Sequence, residues 1–265
     1  MRQKPIHPAM QPFLDGQVIL INKPLHWTSF DAVKKVRILT GVSKVGHAGT
    51  LDPLATGLLI ICTGAFTKRI NTFMAQIKEY TGSFHLGATT PTYDLESTPE
   101  HFKPFQQITK EQLLEATQHF TGEIFQTPPI HSAIKKDGKP AYLAARKGEE
   151  IKLDPRKITI EQFEITDIDS YTLPSVHFRV VCTTGTYIRT LANDYGAHLQ
   201  TGAYLSSLCR TKIGDFSLDQ ALTIEQFEAQ IRGLKENYHT QQSDYQEHQH
   251  HHGHQSGHQA GHHQE

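Results

Sequence analysis

The order of apolar and polar positions divides residues 17–238 into short strands and amphipathic helices. Runs rich in β-branched and aromatic residues predict strands at Val18–Asn22, Leu58–Cys62, Glu79–Leu86, Lys157–Ile168, Ser175–Cys182 and Tyr204–Thr211. Segments with a helical period predict helices at Ala65–Met74, Thr109–Phe120, Tyr142–Lys147, Thr186–His198 and Thr223–Leu234. Strands and helices alternate irregularly, and several strand pairs can only be antiparallel. The pattern therefore predicts one α+β domain with a mixed, mainly antiparallel sheet flanked by helices and loops.

A further helix is predicted between the capping residues Thr28 and Ser29 and a terminating glycine, Gly41. Its apolar positions near one face are Phe30, Val33, Val36 and Ile38 or Leu39. The next segment, Ser43–Ala55, is rich in Gly, Thr and Pro and has no regular period, which indicates a loop. It leads into Leu58–Cys62, which is apolar on both faces and therefore indicates a central strand.

Two more segments carry loop and turn signals. Thr89–Gln107 is polar and contains proline, which predicts a long loop of the kind that commonly has a functional role. Lys-Asp-Gly-Lys within Ile134–Ala141 indicates a hairpin.

The last 27 residues, 239–265, differ in composition from the rest of the chain, with nine His, seven Gln, three acidic residues and no Lys or Arg. No pattern there supports a core, so we expect a disordered tail after a domain at 17–238 and an N-terminal extension at 1–16. Two interpretations of the histidines stay open, namely weak binding of a transition metal or a solvated tail without that role.

The net charge of −1 conceals this split, because the first 238 residues carry 26 basic and 24 acidic residues, about +2 in all. The basic residues form three clusters: Lys34, Lys35, Arg37 and Lys44; Lys135, Lys136, Lys139, Arg146 and Lys147; and Lys152, Arg156 and Lys157. Such clusters suit an RNA partner, and they equally suit the solvated faces of ordinary helices and hairpins.

Three features exclude or disfavour other classes of protein. The longest aliphatic run, Leu58–Cys62, is too short to cross a bilayer, which excludes a transmembrane protein. Residues Met1–Phe13 include Pro and Gln where a secretory signal requires an apolar stretch, so we expect no export. The cysteines Cys62, Cys182 and Cys209 lie far apart beside apolar segments, which indicates reduced thiols in a cytoplasmic protein.

The densest group of unusual residues is Gly46–Leu59, with the sequence GHAGTLDPLATGLL. Its glycines allow the backbone to approach a ligand closely, and Pro53 pushes the preceding Asp52 towards extended geometry. Because the loop enters the central strand, the carboxylate would be held against the rigid part of the fold. From these residues alone, Asp52 is either a catalytic acid or part of a turn-forming Asp-Pro pair.

The GHAGTLDPLATGLL segment resembles the catalytic motif of the TruB family, the tRNA pseudouridine synthases that modify uridine 55 in the T loop. Other segments resemble this family in the same order along the chain. They are INKP at 21–24, WTSFD at 27–31, KEY at 78–80, SAIK at 132–135, GKPAY at 138–142, ARKG at 145–148, GTYIRTL at 185–191 and Ala203–Phe216. The resemblance covers nearly all of residues 17–232.

The resemblance implies a catalytic domain of the pseudouridine-synthase type that acts on the T stem-loop of tRNA by base flipping. It also implies no metal, no cofactor and no obligate protein partner, and a monomer. There are two departures from the family pattern. Asn22 stands where an Asp is common, and the polar tail stands where many members carry a PUA domain that grips the acceptor end of tRNA. We therefore expect tRNA affinity to depend more on the catalytic domain.

The resemblance also assigns the catalytic roles. Asp52 would act at the ribose as a nucleophile or as a base, and these two roles are not separable here. Arg189 would pair with Asp52 through a two-pronged contact that keeps a buried acid ionised and oriented. Tyr80 would stack on the target base and take part in proton transfer, whereas without the resemblance it would count as a core residue.

Four further residues are assigned to substrate binding by the same resemblance. Tyr187 and Leu208 would line the uracil pocket, with simple packing as the alternative for the leucine. His47 would fill the gap that the target nucleotide leaves in the T-loop stack. Lys23 would lie near the mouth of the pocket and meet a phosphate, or be an ordinary surface lysine.

Two other functions remain as alternatives. The first is a non-catalytic protein that binds or folds tRNA on the same scaffold, which the intact set of Asp52, Tyr80 and Arg189 disfavours. The second is a catalytic relative that modifies other RNAs within a guide ribonucleoprotein, which would normally use a PUA domain and basic extensions.

Overall fold

The structure is a computed structural model that describes residues 5–132, 134–136, 138–169 and 175–253, with only the backbone of residues 136 and 245–253. The strands are β1 (Val18–Lys23), β2 (Val45–Ala48), β3 (Ala55–Thr63), β4 (Lys78–Leu86), β5 (Gly122–Gln126), β6 (Lys135–Lys136), β7 (Lys139–Pro140), β8 (Arg156–Ile168), β9 (Ser175–Cys182), β10 (Ala203–Ile213) and β11 (Phe216–Ser217). The α-helices are α1 (Gln11–Asp15), α2 (Ser29–Thr40), α3 (Ile70–Met74), α4 (Lys110–His119), α5 (Ala141–Ala145), α6 (Ile188–His198) and α7 (Ile224–Gly253). Short 3₁₀ helices lie at Pro8–Met10, Gly64–Arg69 and Leu218–Gln220.

One nine-stranded sheet organises the described part of the chain, in the order β1-β3-β10-β4-β9-β8-β5, with β2 on β3 and β11 on β10. The pairing of β3 with β10 is parallel, and the other strand pairs in this sheet are antiparallel. Strands β6 and β7 form a separate hairpin, as predicted, although its turn residue Asp137 lies outside the described residues. The α+β fold with a mixed, mainly antiparallel sheet is thereby confirmed.

Helices cover the sheet through two large apolar clusters. In the first, α4 and α6 pack on β4, β8 and β9, with Phe84, Phe178 and Tyr195 among its largest buried side chains. In the second, α1, α2 and α7 pack on β1 and β3. Strand β3 contributes to both faces: Leu58, Leu59, Ile60 and Ile61 are fully buried. The prediction of a central strand from a run of consecutive apolar residues is confirmed.

Helix α2 begins and ends where the sequence predicted. Thr28 and Asp31 form a reciprocal capping box, and Gly41 ends the helix with φ of 73°. The predicted inner face is wrong at Phe30, which is 61% exposed. Of the two alternatives at its end, Leu39 packs against the core, whereas Ile38 is 66% exposed. The buried positions are Ser29, Ala32, Val33, Val36 and Thr40, which follow the helical spacing more closely.

Two strands, β2 and β5, differ from the prediction. Strand β2 lies within the predicted loop Ser43–Ala55, because Val45–Ala48 pairs with the far half of β3. Strand β5 was not predicted and is held by its pairing with β8. Neither pairing is visible as a local pattern of residues, since each depends on a partner elsewhere in the sequence.

Helix α7 extends beyond Tyr238, so the prediction of a disordered tail is wrong for residues 239–253. Residues 254–265, the end of the predicted tail, lie outside the described residues, as does 170–174 between β8 and β9. Residues 5–16 of the N-terminal extension include Met10 and Phe13, which are buried against the domain. None of the helices in the described ranges combines the length and apolar character needed to cross a membrane.

The parallel pairing of β3 and β10 depends on a glycine. Gly57 has φ of +109°, and a Cβ atom built on it would lie 2.3 Å from the carbonyl oxygen of Arg210. We expect Gly57→Ala to lower the free energy of unfolding by more than about 2 kcal/mol, because both the backbone conformation and the strand spacing must change. Urea denaturation of the folded protein measures the loss.

The matched control is Gly233→Ala in α7, where an added Cβ meets nothing within 4 Å. This variant should gain roughly 0.5–1 kcal/mol from the higher helix propensity of alanine. Equal unfolding free energies for the two variants would contradict this view of the β3–β10 contact.

Candidate active site

The candidate catalytic loop runs between β2 and β3 and is fastened at several points. The Ser29 hydroxyl accepts a hydrogen bond from the backbone N–H of Leu51 at 2.9 Å and donates to the Leu51 carbonyl at 3.2 Å. Within the loop, the N–H of Ala55 donates to the carbonyl of Asp52 at 3.0 Å. These bonds hold the backbone on both sides of Asp52 while its side chain remains 45% exposed.

Arg189 lies in the first turn of α6 and is nearly buried, with 6% of its side chain exposed. Its Nε atom forms an ion pair with Oδ2 of Asp52 at 2.9 Å, which brings together the two residues that the sequence predicted as partners. The predicted environment is wrong in two details. The acid is half-exposed rather than buried, and the structure gives one nitrogen–oxygen contact rather than two.

A cavity of about 330 Å³ opens beside this pair. Of the seven predicted site residues, five line it: Asp52, Tyr80, Tyr187, Arg189 and Leu208. Its volume lies in the range of pockets that hold a small ligand or a single nucleobase. The five predicted residues thus supply one carboxylate, one arginine and two tyrosines, which suits acid–base or nucleophilic chemistry on a flat ring.

Tyr80 reaches the cavity from β4 and is 8% exposed. Burial raises the pKa of its hydroxyl, and the neighbouring Arg210 opposes that rise. The strand register explains why Tyr80 and Arg210 are neighbours, because they stand directly opposite each other on β4 and β10. The hydroxyl is therefore neutral at physiological pH and available as a hydrogen-bond donor.

The structure places the other two predicted residues outside the lining of this cavity. His47 lies on β2 and is half-buried, and burial lowers its pKa, as does the charge of Arg210. The predicted position of Lys23 at the mouth is wrong, since its side chain is fully buried and donates to the carbonyls of Pro24 and Trp27. Burial lowers the pKa of Lys23 to about 8.

Lys78, Ser132 and Arg210 are among the lining residues to which the sequence analysis assigned no role in the site. Lys78 and Arg210 are 6% and 1% exposed, and the Ser132 Oγ is buried with no hydrogen-bond partner among the described residues. The alternation of side chains along a strand could have revealed the two cations. Lys78 lies on the same face of β4 as Tyr80, and Arg210 lies on the same face of β10 as Leu208. A cation at an inward position of a strand is a reliable sign of a special environment.

Comparison with known proteins identifies the family to which this chain belongs. The family model described as TruB family pseudouridylate synthase (N terminal domain) matches residues 37–188, and the one described as tRNA pseudouridylate synthase B C-terminal domain matches residues 189–247. A tRNA pseudouridine synthase B from Flavobacterium johnsoniae is 52% identical over 229 residues, covering 84% of this chain and 99% of that protein. The protein of the same name from Phocaeicola vulgatus is 49% identical over 221 residues, covering 81% of this chain and 93% of that protein.

Solved structures with a similar fold include a Cbf5-Nop10-Gar1 complex, at 26% identity and a TM-score of 0.65. The match covers 84% of this chain but only 56% of that chain. An H/ACA RNP bound to a substrate RNA containing 2′-deoxyuridine has the same TM-score at 25% identity, covering 87% of this chain and 57% of that one. Taken with the two family models, the relatives of nearly equal length show that this chain belongs to the TruB family of pseudouridylate synthases.

Proposed function

We propose that this protein converts uridine 55 in the T loop of tRNA to pseudouridine. The observation that carries the proposal is the ion pair between Asp52 and Arg189 at the wall of a base-sized cavity. Relatives that are about half identical over most of the chain carry the name tRNA pseudouridine synthase B, which supports the same reaction here.

The chemistry is an isomerisation in which the bond between C1′ of the ribose and N1 of uracil breaks and a bond between C1′ and C5 forms. Asp52 acts at the ribose in one of two ways. It attacks C1′, and the resulting C1′–oxygen bond breaks when C5 attacks C1′, or it removes a proton from the sugar and returns it when the C1′–C5 bond forms. Arg189 holds the carboxylate in one orientation through Nε and offsets its charge. The hydrogen at C5 is lost as a proton, and N1 gains one, so no electrons are exchanged with a cofactor.

The remaining lining residues retain the ring between these two steps. Tyr80 stacks on the base and offers its hydroxyl for proton transfer, and Tyr187 and Leu208 close the pocket around uracil. These roles rest on the family resemblance together with the position of each side chain on the cavity wall.

Entry of the uridine requires base flipping, which costs a few kcal/mol of stacking energy, of the order seen for other enzymes that act on bases. His47 occupies the gap in the T loop and stacks there, which partly offsets that cost. Its position on β2, at the start of the catalytic loop, supports this role, although it does not line the cavity itself.

We further infer that the protein acts on tRNA as a cytoplasmic monomer. The relatives named as tRNA-modifying enzymes support this location, and the resemblance to the family supports the monomer. Metal binding by the histidines of 239–265 rests on composition alone, because the described residues contain no cluster of three His, Cys, Asp or Glu side chains placed to hold a metal. Calorimetric titration with zinc, compared with an arbitrary His-rich peptide, tests it.

We expect Asp52→Asn to abolish pseudouridine formation while tRNA affinity stays within about twofold, because the amide retains the shape but neither attacks carbon nor removes a proton. Single-turnover assays on an unmodified tRNA transcript, with the modified position mapped, provide the measurement.

The exposed Asp215→Asn is the matched control and should retain full activity. If the unaltered protein binds the transcript without forming pseudouridine, the non-catalytic tRNA-binding alternative is correct. Product at sites other than the T loop would instead favour a relative with other RNA targets.

Arg189→Lys should lower the single-turnover rate on the order of 100-fold in a folded protein. Lysine carries the charge, but it does not reproduce the position of Nε beside Oδ2.

The control is Arg179→Lys, which changes an arginine that pairs with Glu79 at 2.7 Å and does not line the cavity. Its rate should remain near that of the unaltered protein. Equal rates for Arg189→Lys and Arg179→Lys would remove Arg189 from the active site.

A further inference from the structure

The cavity carries more positive charge than its proposed catalytic pair requires. Among the described residues, its lining includes three cationic side chains, Lys78, Arg189 and Arg210, and one carboxylate, Asp52. Arg189 is paired with that carboxylate. Lys78 and Arg210 therefore remain as an excess of positive charge at the cavity wall.

These two cations are held by neutral groups. Lys78 Nζ donates to the carbonyls of Met74 and Gln76, and Arg210 donates through Nε to Leu58 at 2.8 Å and through Nη2 to Gly49 at 3.0 Å. Within the described part of the chain, neither forms an ion pair with a carboxylate. An ammonium has three N–H donors, so Lys78 keeps one beyond its two carbonyl bonds.

Keeping two neighbouring cations buried without an anion is costly for stability. Burial and the charge of Arg210 lower the pKa of Lys78 to about 8, which leaves most of the ammonium protonated at neutral pH. A fold that retains such a pair has a preformed positive field in the cavity, and this field stabilises an anion that forms there.

The positions of Lys78 and Arg210 indicate which anion they stabilise. A Cβ atom built on Gly49 of the catalytic loop would lie 3.4 Å from Nη1 of Arg210 and 3.9 Å from Cε of Lys78, so both cations lie beside this loop. Arg210 also stands opposite Tyr80, the residue proposed to stack on the base. Both cations are almost fully buried, whereas the carboxylate of Asp52 is 45% exposed. A flipped nucleotide enters with its base foremost, so the deepest groups meet the base, and its phosphates remain nearer to solvent.

We propose that Lys78 and Arg210 stabilise the negative charge on the uracil ring when its glycosidic bond breaks. The electron pair of the C1′–N1 bond moves to N1 and spreads over the two ring carbonyl oxygens, which then accept hydrogen bonds from the cations. The same pair of electrons is returned when C5 bonds to C1′ and releases its proton. This role rests on the proposed function and adds two catalytic residues to it.

The test compares leaving groups. We expect Lys78→Met to lower the single-turnover rate on a T stem-loop transcript on the order of 100-fold, with RNA affinity nearly unchanged. With 5-fluorouridine at the target position the loss should be several-fold smaller, since fluorine acidifies N1 and the departing ring then needs less external stabilisation. The measurement is the disappearance of the parent nucleoside from a nuclease digest.

Three variants keep the result interpretable. Lys78→Arg retains the charge and should recover most of the rate, Arg210→Met should show the same dependence on fluorine, and Lys78→Gln replaces Lys78→Met if that variant does not fold. Lys110→Met, at the exposed start of α4, is the matched control and should change neither rate.

Other outcomes overturn the proposal. Equal losses on both substrates, or no loss, would show that the cations do not act on the leaving group. A loss confined to affinity, with a weaker dependence of binding on salt, would mean that they bind a phosphate. Absence of product from the unaltered protein would refute the proposed function itself, which is a separate result.

Discussion

The ion pair between Arg189 and Asp52 depends on the fixed start of α6, because the arginine is the second residue of that helix. No side-chain cap is present at Tyr187. Instead, the side-chain amide of Gln126 in β5 bonds to both backbone groups of Tyr187. Its Nε2 donates to the Tyr187 carbonyl at 3.2 Å, and its Oε1 accepts from the Tyr187 N–H at 2.9 Å. Gln126 is 2% exposed, so these bonds are shielded from water. A glutamine on a distant strand thereby positions the arginine that orients the carboxylate.

The carboxylate side of the pair is held by a different set of contacts. Ser29, at the start of α2, bonds twice to Leu51, and Arg210 bonds to the carbonyls of Gly49 and Leu58, on either side of Asp52. Arg210 thus connects the loop to the sheet as well as lining the cavity. Gly57 lets β3 and β10 approach closely, and this allows the Arg210 side chain to reach the carbonyls of the loop. The geometry of the site therefore depends on the glycine at position 57.

Sequence patterns predicted those parts of the molecule whose signal is local. The central strand and the capped helix α2 each depend on neighbouring residues, and both predictions are confirmed. The loop that carries the candidate acid Asp52 was also recognised from neighbouring residues, and Asp52 lines the cavity. Strand β2 and strand β5 depend on distant partners, and their own residues are too few and too mixed to predict them. Lys23 was misplaced because a lysine at the end of a strand normally reaches solvent, whereas here two carbonyls satisfy it in the interior. Lys78 and Arg210 were missed because their significance depends on which groups share their cavity.

Asp52 is half-exposed, whereas Lys78 and Arg210 are buried, so substrate entry affects the two sides of the cavity differently. Before substrate binds, water screens Asp52 and weakens its attraction to Arg189, while the field of Lys78 and Arg210 is already in place. In the proposed reaction, a base entering the cavity removes that water, which strengthens the ion pair at the same time as it brings the ring against the cations. Charge on the carboxylate side is thus tuned by substrate entry, and charge on the base side is built into the fold.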